Sequence, residues 1–256
     1  MSVTHSLEIA REVRRLAGSR ALVAFSGGKD SLVTLDICAQ TFERVDAFFM
    51  YLVKGLEIEE RMLANGVSRY KNVTLHRIPH PQLAQALKGN ALSIHVGQSA
   101  GIRNVRLTDV TAHMRKLTGA HWCAIGWRAT ESMHRRWHLR KLGEIDHLGG
   151  RFFPIADWTA KECVSYLKTR RIPLPVRFGV AGEQAPSGVG LDIHSLRWLA
   201  DEHPADFAKV LRVFPMADAM LERAKMYPEV TPEGHEANSS TVGALARAKL
   251  RRAGKE

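Results

Sequence analysis

The sequence predicts an α/β protein: an open, mostly parallel five-stranded sheet with helices on both faces, followed by a helical C-terminal extension. Three observations carry this expectation. Short apolar runs alternate with helical patterns as far as about residue 170, and a glycine-rich turn follows the first of those runs. Beyond that point the pattern changes to a Pro- and Gly-rich stretch and then to helix alone. With 256 residues, 45% of them hydrophobic, the chain can bury a full core. The expected division is an α/β domain over 1–175 and a loop and helical region with a basic tail over 176–256.

The elements follow in order. SLEIAREVRRLAG (6–18) sets apolar residues at helical spacing and stops at Gly18. ALVAF (21–25) is apolar throughout, as a parallel strand covered on both faces is, and DSLVTLDICAQTF after it turns helical. RVDAFFMYLV (44–53) reads as the second strand, EIEERMLANGVSRY as an amphipathic helix and NVTLHRI (72–78) as the third strand, closed by PHP. RNVRLTDVTAHMRKLTG reads as a helix, HWCAIGW (121–127) as the fourth strand and RFFPI (151–155) as the fifth. TAKECVSYLKTRR is a helix with Thr159 as its cap. IPLPVRFGVAGEQAPSGVG (172–190) reads as an ordered loop or lid, 191–228 as helical, EVTPEGHEANSS as a linker and TVGALARAKLRRAGKE as a basic helix or tail.

The net charge of +11 favours an anionic partner: a nucleotide, a nucleic acid or an acidic protein face. The three cysteines, Cys38, Cys123 and Cys163, are widely spaced and form no CxxC pair. That spacing argues against a disulfide scaffold, a zinc site and an iron–sulfur cluster. No stretch approaches the roughly 20 apolar residues of a membrane span, and the N-terminus has no long apolar run. The expectation is a soluble, cytoplasmic protein with no membrane partner.

SGGKDS (26–31) stands between the first strand and a helix, at the strand's carboxyl end, where open parallel sheets bind ligands. Gly27 and Gly28 let the backbone bend tightly and bring N–H groups near a ligand. The helix adds unpaired N–H groups and the positive end of its dipole, Ser26 and Ser31 add hydroxyl donors, and Lys29 adds a charge. Together they make an anion cradle. It is not a Walker A loop, which needs a glycine where this chain has Val23 and Ser or Thr where it has Asp30. The plainer reading is a strand–helix turn capped by Asp30 or Ser31, which two glycines, two serines and a lysine in one turn make the weaker one.

These residues resemble the PP-loop of the adenine nucleotide alpha-hydrolase (ATP pyrophosphatase) superfamily, and within it the phosphoadenosine phosphosulfate (PAPS) reductase family. Three further stretches resemble that family. In KGLEIEE (54–60), Gly55, Glu57 and Glu60 match its Asp-Thr-Gly-hydrophobic-Glu-Phe-Pro-Glu element, while Val53, Lys54 and Glu59 depart from it. In AIGWRATESMHRR (124–136), Gly126, Arg128, Glu131 and Ser132 match Gly-x-Arg-x-x-Glu-Ser. FFPIADWTAKECVSYLKTRRIPLP (152–175) is similar to its Pro-Ile-x-Asp-Trp-Thr element and the helix behind it. The resemblance covers roughly residues 20–215. It implies an adenine nucleotide, ATP or PAPS, held at Ser26, Gly27, Gly28, Lys29, Asp30, Ser31, Gly55, Glu57, Gly126, Arg128, Arg135 and Arg136.

Arginines suit phosphate because the guanidinium fork meets two oxygens at once. Arg128, nearest the fourth strand's end, is expected to meet a phosphate or the leaving pyrophosphate, and Lys29, Asp30 and Arg128 form the expected catalytic set. Arg135 and Arg136 are weaker candidates, and the distal Arg140 and Lys141 equally suit a solvated helix face. Magnesium carried by the nucleotide phosphates is expected, with Asp30 or Glu57 helping to hold it. Glu131, His134 and His138 share a helical spacing that metals use, but their basic surroundings oppose one. Asp157 reads as pocket wall or helix cap, and Trp158 as a core anchor.

PAPS reduction needs a thiol, and no cysteine follows Cys163. The function that the resemblance implies is cleavage of ATP to AMP and pyrophosphate, adenylylating a second substrate in sulfur or nucleotide-modification metabolism. A thiol-dependent PAPS or APS reductase using a partner's thiol is one alternative. A nucleic-acid-binding or non-catalytic nucleotide-binding module, with the basic tail on DNA or RNA, is another. The acceptor is left open, and a homo-oligomer or a partner subunit is compatible with each reading.

Overall fold

The chain enters its sheet in the middle. A computed structural model describes residues 3–89, 101–175 and 189–226. The first strand, β1 (Arg20–Ala24), follows helix α1 (Val3–Ala17) and leads through the glycine turn into α2 (Lys29–Thr41). The chain then builds outward on one side through β2 (Arg44–Tyr51), α3 (Glu57–Val67) and β3 (Val73–Pro79). After α4 (Pro81–Lys88) and α5 (Leu107–Thr118) it returns to the other side of β1 with β4 (Cys123–Ile125). Helix α6 (Met133–Leu142), two short strands β5 (Ile145–Asp146) and β6 (Arg151–Phe152), and α7 (Ala160–Thr169) complete this part. The strand order is β3-β2-β1-β4-β6-β5, with every pairing parallel except β5 with β6. The direction of winding therefore reverses between β1 and β4, which opens a crevice at their carboxyl ends.

The sheet has six strands where the sequence reading expects five. The extra one, β5, is two residues long and pairs antiparallel with β6, too short to show any periodicity. The fourth strand is confined to Cys123–Ile125 and the one expected at 151–155 to Arg151–Phe152, because the chain turns away after each to form the connections at the crevice.

The strand residues alternate between two faces, and each face has its own core. Ala21, Val23 and Phe25 with Val45, Ala47 and Phe49 pack against Ile9, Ala10 and Val13 of α1, Val33 and Ile37 of α2, and Leu167 of α7. Leu22, Phe48 and Cys123 point the other way, onto Val110 and Met114 of α5. The apolar runs are continuous because both faces are covered.

A buried carboxylate sits against the first core. Asp36 of α2 is fully buried. It accepts from Tyr70 Oη at 2.8 Å, Tyr166 Oη at 2.5 Å, Gln40 Nε2 at 2.9 Å and Arg170 Nε at 3.0 Å. This network pins α2 to the segment after α3 and to the end of α7. Burial first, then the neighbouring Asp36, pushes both tyrosine hydroxyls up.

Residues 191–226 belong to a second unit, with helices α8 (Ile193–Glu202), α9 (Pro204–Val213) and α10 (Ala217–Met226). The expected lid lies mostly outside the described residues, and the linker and basic tail lie wholly outside them.

Two outcomes follow for stability. Asp36→Ala leaves two buried hydroxyls and a guanidinium without their acceptor and is expected to cost about 2–4 kcal/mol, read from urea unfolding. His5 of α1 lies 2.9 Å from Glu144 Oε1, and that hydrogen bond raises its pKa above the ordinary 6.5. A raised folded-state pKa gives stability that is full below pH 6.5 and is lost as pH climbs through the raised value. His5→Gln should remove that alkaline loss from a pH series of unfolding midpoints.

Candidate functional site

Between β1 and α2 the chain turns through Gly27 and Gly28. Gly27 has φ +76°, where an L side chain is strained, and an added Cβ would run into the Met62 methyl. Gly28 is the N-cap of α2, extended at φ −77° and ψ 165°, and brings no side-chain acceptor to the first-turn N–H groups. The helix thus presents donors and the positive end of its dipole at the carboxyl edge of β1. The two serines brace this turn: Ser31 Oγ donates to the Gly28 carbonyl at 2.9 Å and Ser26 Oγ to Ser31 Oγ at 3.2 Å. Lys29 Nζ lies 3.5 Å from Asp30 Oδ2.

The end of β4 closes on the same turn. A Cβ on Gly126 would meet Thr34 Oγ1 at 3.0 Å and the Asp30 carbonyl oxygen and carbon at 3.1 and 3.2 Å, so a side chain there would press the β4 backbone away from α2. Arg128 then reaches Asp30 as a fork, Nε to Oδ1 at 2.9 Å and Nη2 to Oδ2 at 3.3 Å. The Arg128 side chain is 6% exposed and that of Asp30 18%, so the pair is largely shielded from water. The third guanidinium nitrogen, Nη1, donates to Thr130 Oγ1 at 3.0 Å, and Thr130 donates to the Trp158 carbonyl at 3.0 Å. The turn is thereby tied to the segment ahead of α7. Behind it, burial first and then the charge and hydrogen bond of Asp30 push the Cys163 thiol up.

The structure therefore brings Ser26 to Ser31, Gly126 and Arg128 together. Gly55 and Glu57 stand at the end of the neighbouring strand β2, with Leu56 between them as N-cap of α3. Glu60 pairs with Arg77 of β3, while the buried Glu59 accepts the Val189 N–H at 3.0 Å. Arg135 pairs with Glu131 and lies 5.8 Å over the Trp127 ring. Arg136 Nε donates to the Ala129 carbonyl at 3.3 Å. Those two arginines thus fold back on the β4–α6 connection. His134 and His138 approach to 3.0 Å between Nε2 atoms, yet among the described residues no three His, Cys, Asp or Glu converge as metal ligands. Asp157 is exposed and Thr159 caps α7, in a reciprocal pair with Glu162. Trp158 is a buried anchor whose indole N–H reaches Ser6 Oγ at 3.0 Å. A cleft of about 20 Å³ lined by Gly27, Met62 and Pro173 adjoins the turn, too small for a nucleobase.

Thr130 and Asp36 escape the sequence reading. Asp36 had a signal, a lone carboxylate in an otherwise apolar stretch of LVTLDICA. Thr130 had none, since its role depends on where Arg128 and Trp158 meet in space.

A mostly parallel sheet with a glycine turn and helix dipole at its switch point is consistent with the PP-loop class, the adenine nucleotide alpha-hydrolase fold. Within it, the chain belongs to the PAPS reductase family: the model of the phosphoadenosine phosphosulfate reductase domain matches residues 20–176. No curated protein matches the chain. Solved structures similar to it include PAPS reductase from Candida auris in a phosphate complex, at 15% identity and a TM-score of 0.40, covering 68% of this chain and 89% of that one. NH3-dependent NAD synthetase from Campylobacter jejuni aligns at 15% identity and a TM-score of 0.43, covering 85% of this chain and 91% of that one. U34-tRNA thiolase NcsA from Methanococcus maripaludis aligns at 15% identity and a TM-score of 0.40, covering 84% and 79%. Among the described residues no helix is long and apolar enough to cross a membrane.

The expected cofactor set, which excluded an iron–sulfur cluster, is corrected by the last of these. NcsA carries a [4Fe-4S] cluster. CxxC spacing detects only ligands adjacent in sequence, and a cysteine count does not rule a cluster out. All three cysteines of this chain are buried, and burial pushes each thiol up, Cys123 to about 12.

Arg128→Lys keeps the charge but loses the fork. It is expected to lower unfolding free energy by about 1–3 kcal/mol, read as a fall in the urea midpoint. An unchanged midpoint would show that the fork does not hold the turn.

Proposed function

We propose that the chain is an enzyme that seats an adenine nucleotide with its phosphates over residues 26–31 and cleaves ATP between the α and β phosphates. The bond to pyrophosphate breaks, and the acceptor's attacking atom bonds to the α phosphorus to give an adenylylated acceptor. The observation that carries the reading is the opening of α2 at the β1/β4 switch point by Gly27 and Gly28, with no side-chain cap. N–H donors and helix dipole there favour anionic oxygens. Lys29 adds a full charge where the leaving pyrophosphate gains negative charge, and fixed cations so placed lower the barrier. Arg128, paired with Asp30, serves this reading by holding the first turn in shape and lending charge behind it. Family membership supports an adenine nucleotide as the ligand, with sulfur or nucleotide-modification metabolism as the setting.

The thiol-dependent alternative draws on family membership as well. It requires a partner's thiol, since Cys38, Cys123 and Cys163 are buried and their thiols are held in the protonated form.

Lys29→Ala should reduce ATP-dependent pyrophosphate release at least tenfold while the urea midpoint stays near wild type. A Cys38→Ala, Cys123→Ala, Cys163→Ala protein should retain it. A wild-type protein that forms no pyrophosphate with any sulfur, carboxylate or nucleic-acid acceptor would contradict the ATP reading. Sulfite release from PAPS that depends on added thioredoxin would favour the alternative.

A further inference from the structure

Helix α6 lies mostly in solvent. Of its residues only Leu139 is buried. It carries Arg135, Arg136, Arg140 and Lys141 and no acidic residue. Arg136 and Arg140 are four apart, a like-charge spacing that weakens a helix, and Arg135 and Arg136 stand near the positive end of its dipole. Glu131, ahead of the helix, compensates Arg135 alone. A merely solvated helix face mixes both signs of charge and seldom exposes large rings. Here Trp137 is 59% exposed and Met133 78%. Helical spacing puts Trp137 on one face with Met133, Arg140 and Lys141. Lys141 Nζ lies 5.5 Å from the Trp137 ring centroid, and the His138 ring meets its edge at 4.9 Å between centroids.

We propose that this face of α6 binds single-stranded nucleic acid, with an unpaired base stacked on Trp137 and backbone phosphates against Arg140 and Lys141. Charge complementarity selects a polyanion, and the exposed indole selects one with unstacked π faces over an acidic protein or a paired duplex. The surface is separate in sequence from the basic tail and does not depend on how the turn at 26–31 is used. It follows the β4 connection that holds Arg128, so a strand lying on it would approach the switch-point crevice.

The test is fluorescence anisotropy of a labelled oligothymidylate with the full chain. Trp137→Ala should weaken binding roughly tenfold and Trp137→Phe should retain most of it. Arg140→Gln with Lys141→Gln should flatten the slope of log affinity against log salt by about 1.4. Trp137→Ala protein that binds like wild type would overturn the proposal, as would a duplex bound as tightly or polyglutamate competing as well as the oligonucleotide. ATP binding measured on the same proteins separates the two readings. The α6 variants should keep it, and Lys29→Ala should lose it while still binding the oligonucleotide.

Discussion

The candidate site depends on one interaction: the Arg128 guanidinium closing as a fork on Asp30 in the first turn of α2. Taking two charges out of water costs several kcal/mol per ion unless geometry returns it, and paired, parallel hydrogen bonds are the geometry that does. The fork requires β4 to lie beside β1, which the β3-β2-β1-β4 order supplies. It also requires the β4 backbone to touch α2, which Gly126 permits. Thr130 then carries the connection to the Trp158 carbonyl, and Trp158 is anchored on α1 through Ser6. The glycine turn is thus held from several sides before a ligand arrives, so binding need not order it.

The strands that build the crevice were legible in the sequence because parallel strands covered on both faces leave unbroken apolar runs, as in ALVAF and RVDAFFMY. The turn was legible too, since two adjacent glycines before a helix have few other uses. Strand β5 was not legible: it is two residues held by a side-chain arrangement, with Asp146 pairing Arg151 and accepting the Gly149 N–H at 2.9 Å. Helix α4 passed unread although Pro81 in its first turn and His80 as its cap announce it, because eight residues show little periodicity. At the site, residue types could be read but not their partners. Arg128 was legible as a cation at a strand end, and its pairing with Asp30 was not, because that depends on which strands are neighbours.

The buried cysteines and the exposed cations point in complementary directions. Cys38, Cys123 and Cys163 are buried in the core. Helix α6 exposes its cations beside a ring in solvent. Both features fit the proposed function, in which a second reactant is brought to the glycine turn. The net charge of +11 belongs with that division of labour.

The most direct test is a crystal structure with an ATP analogue whose α–β bridge resists cleavage. The account predicts its phosphates against the backbone N–H groups of residues 27–31, near Lys29, with the Arg128–Asp30 pair intact behind them. Phosphates bound away from this turn, with residues 26–31 unliganded and the nucleotide well ordered elsewhere, would contradict it.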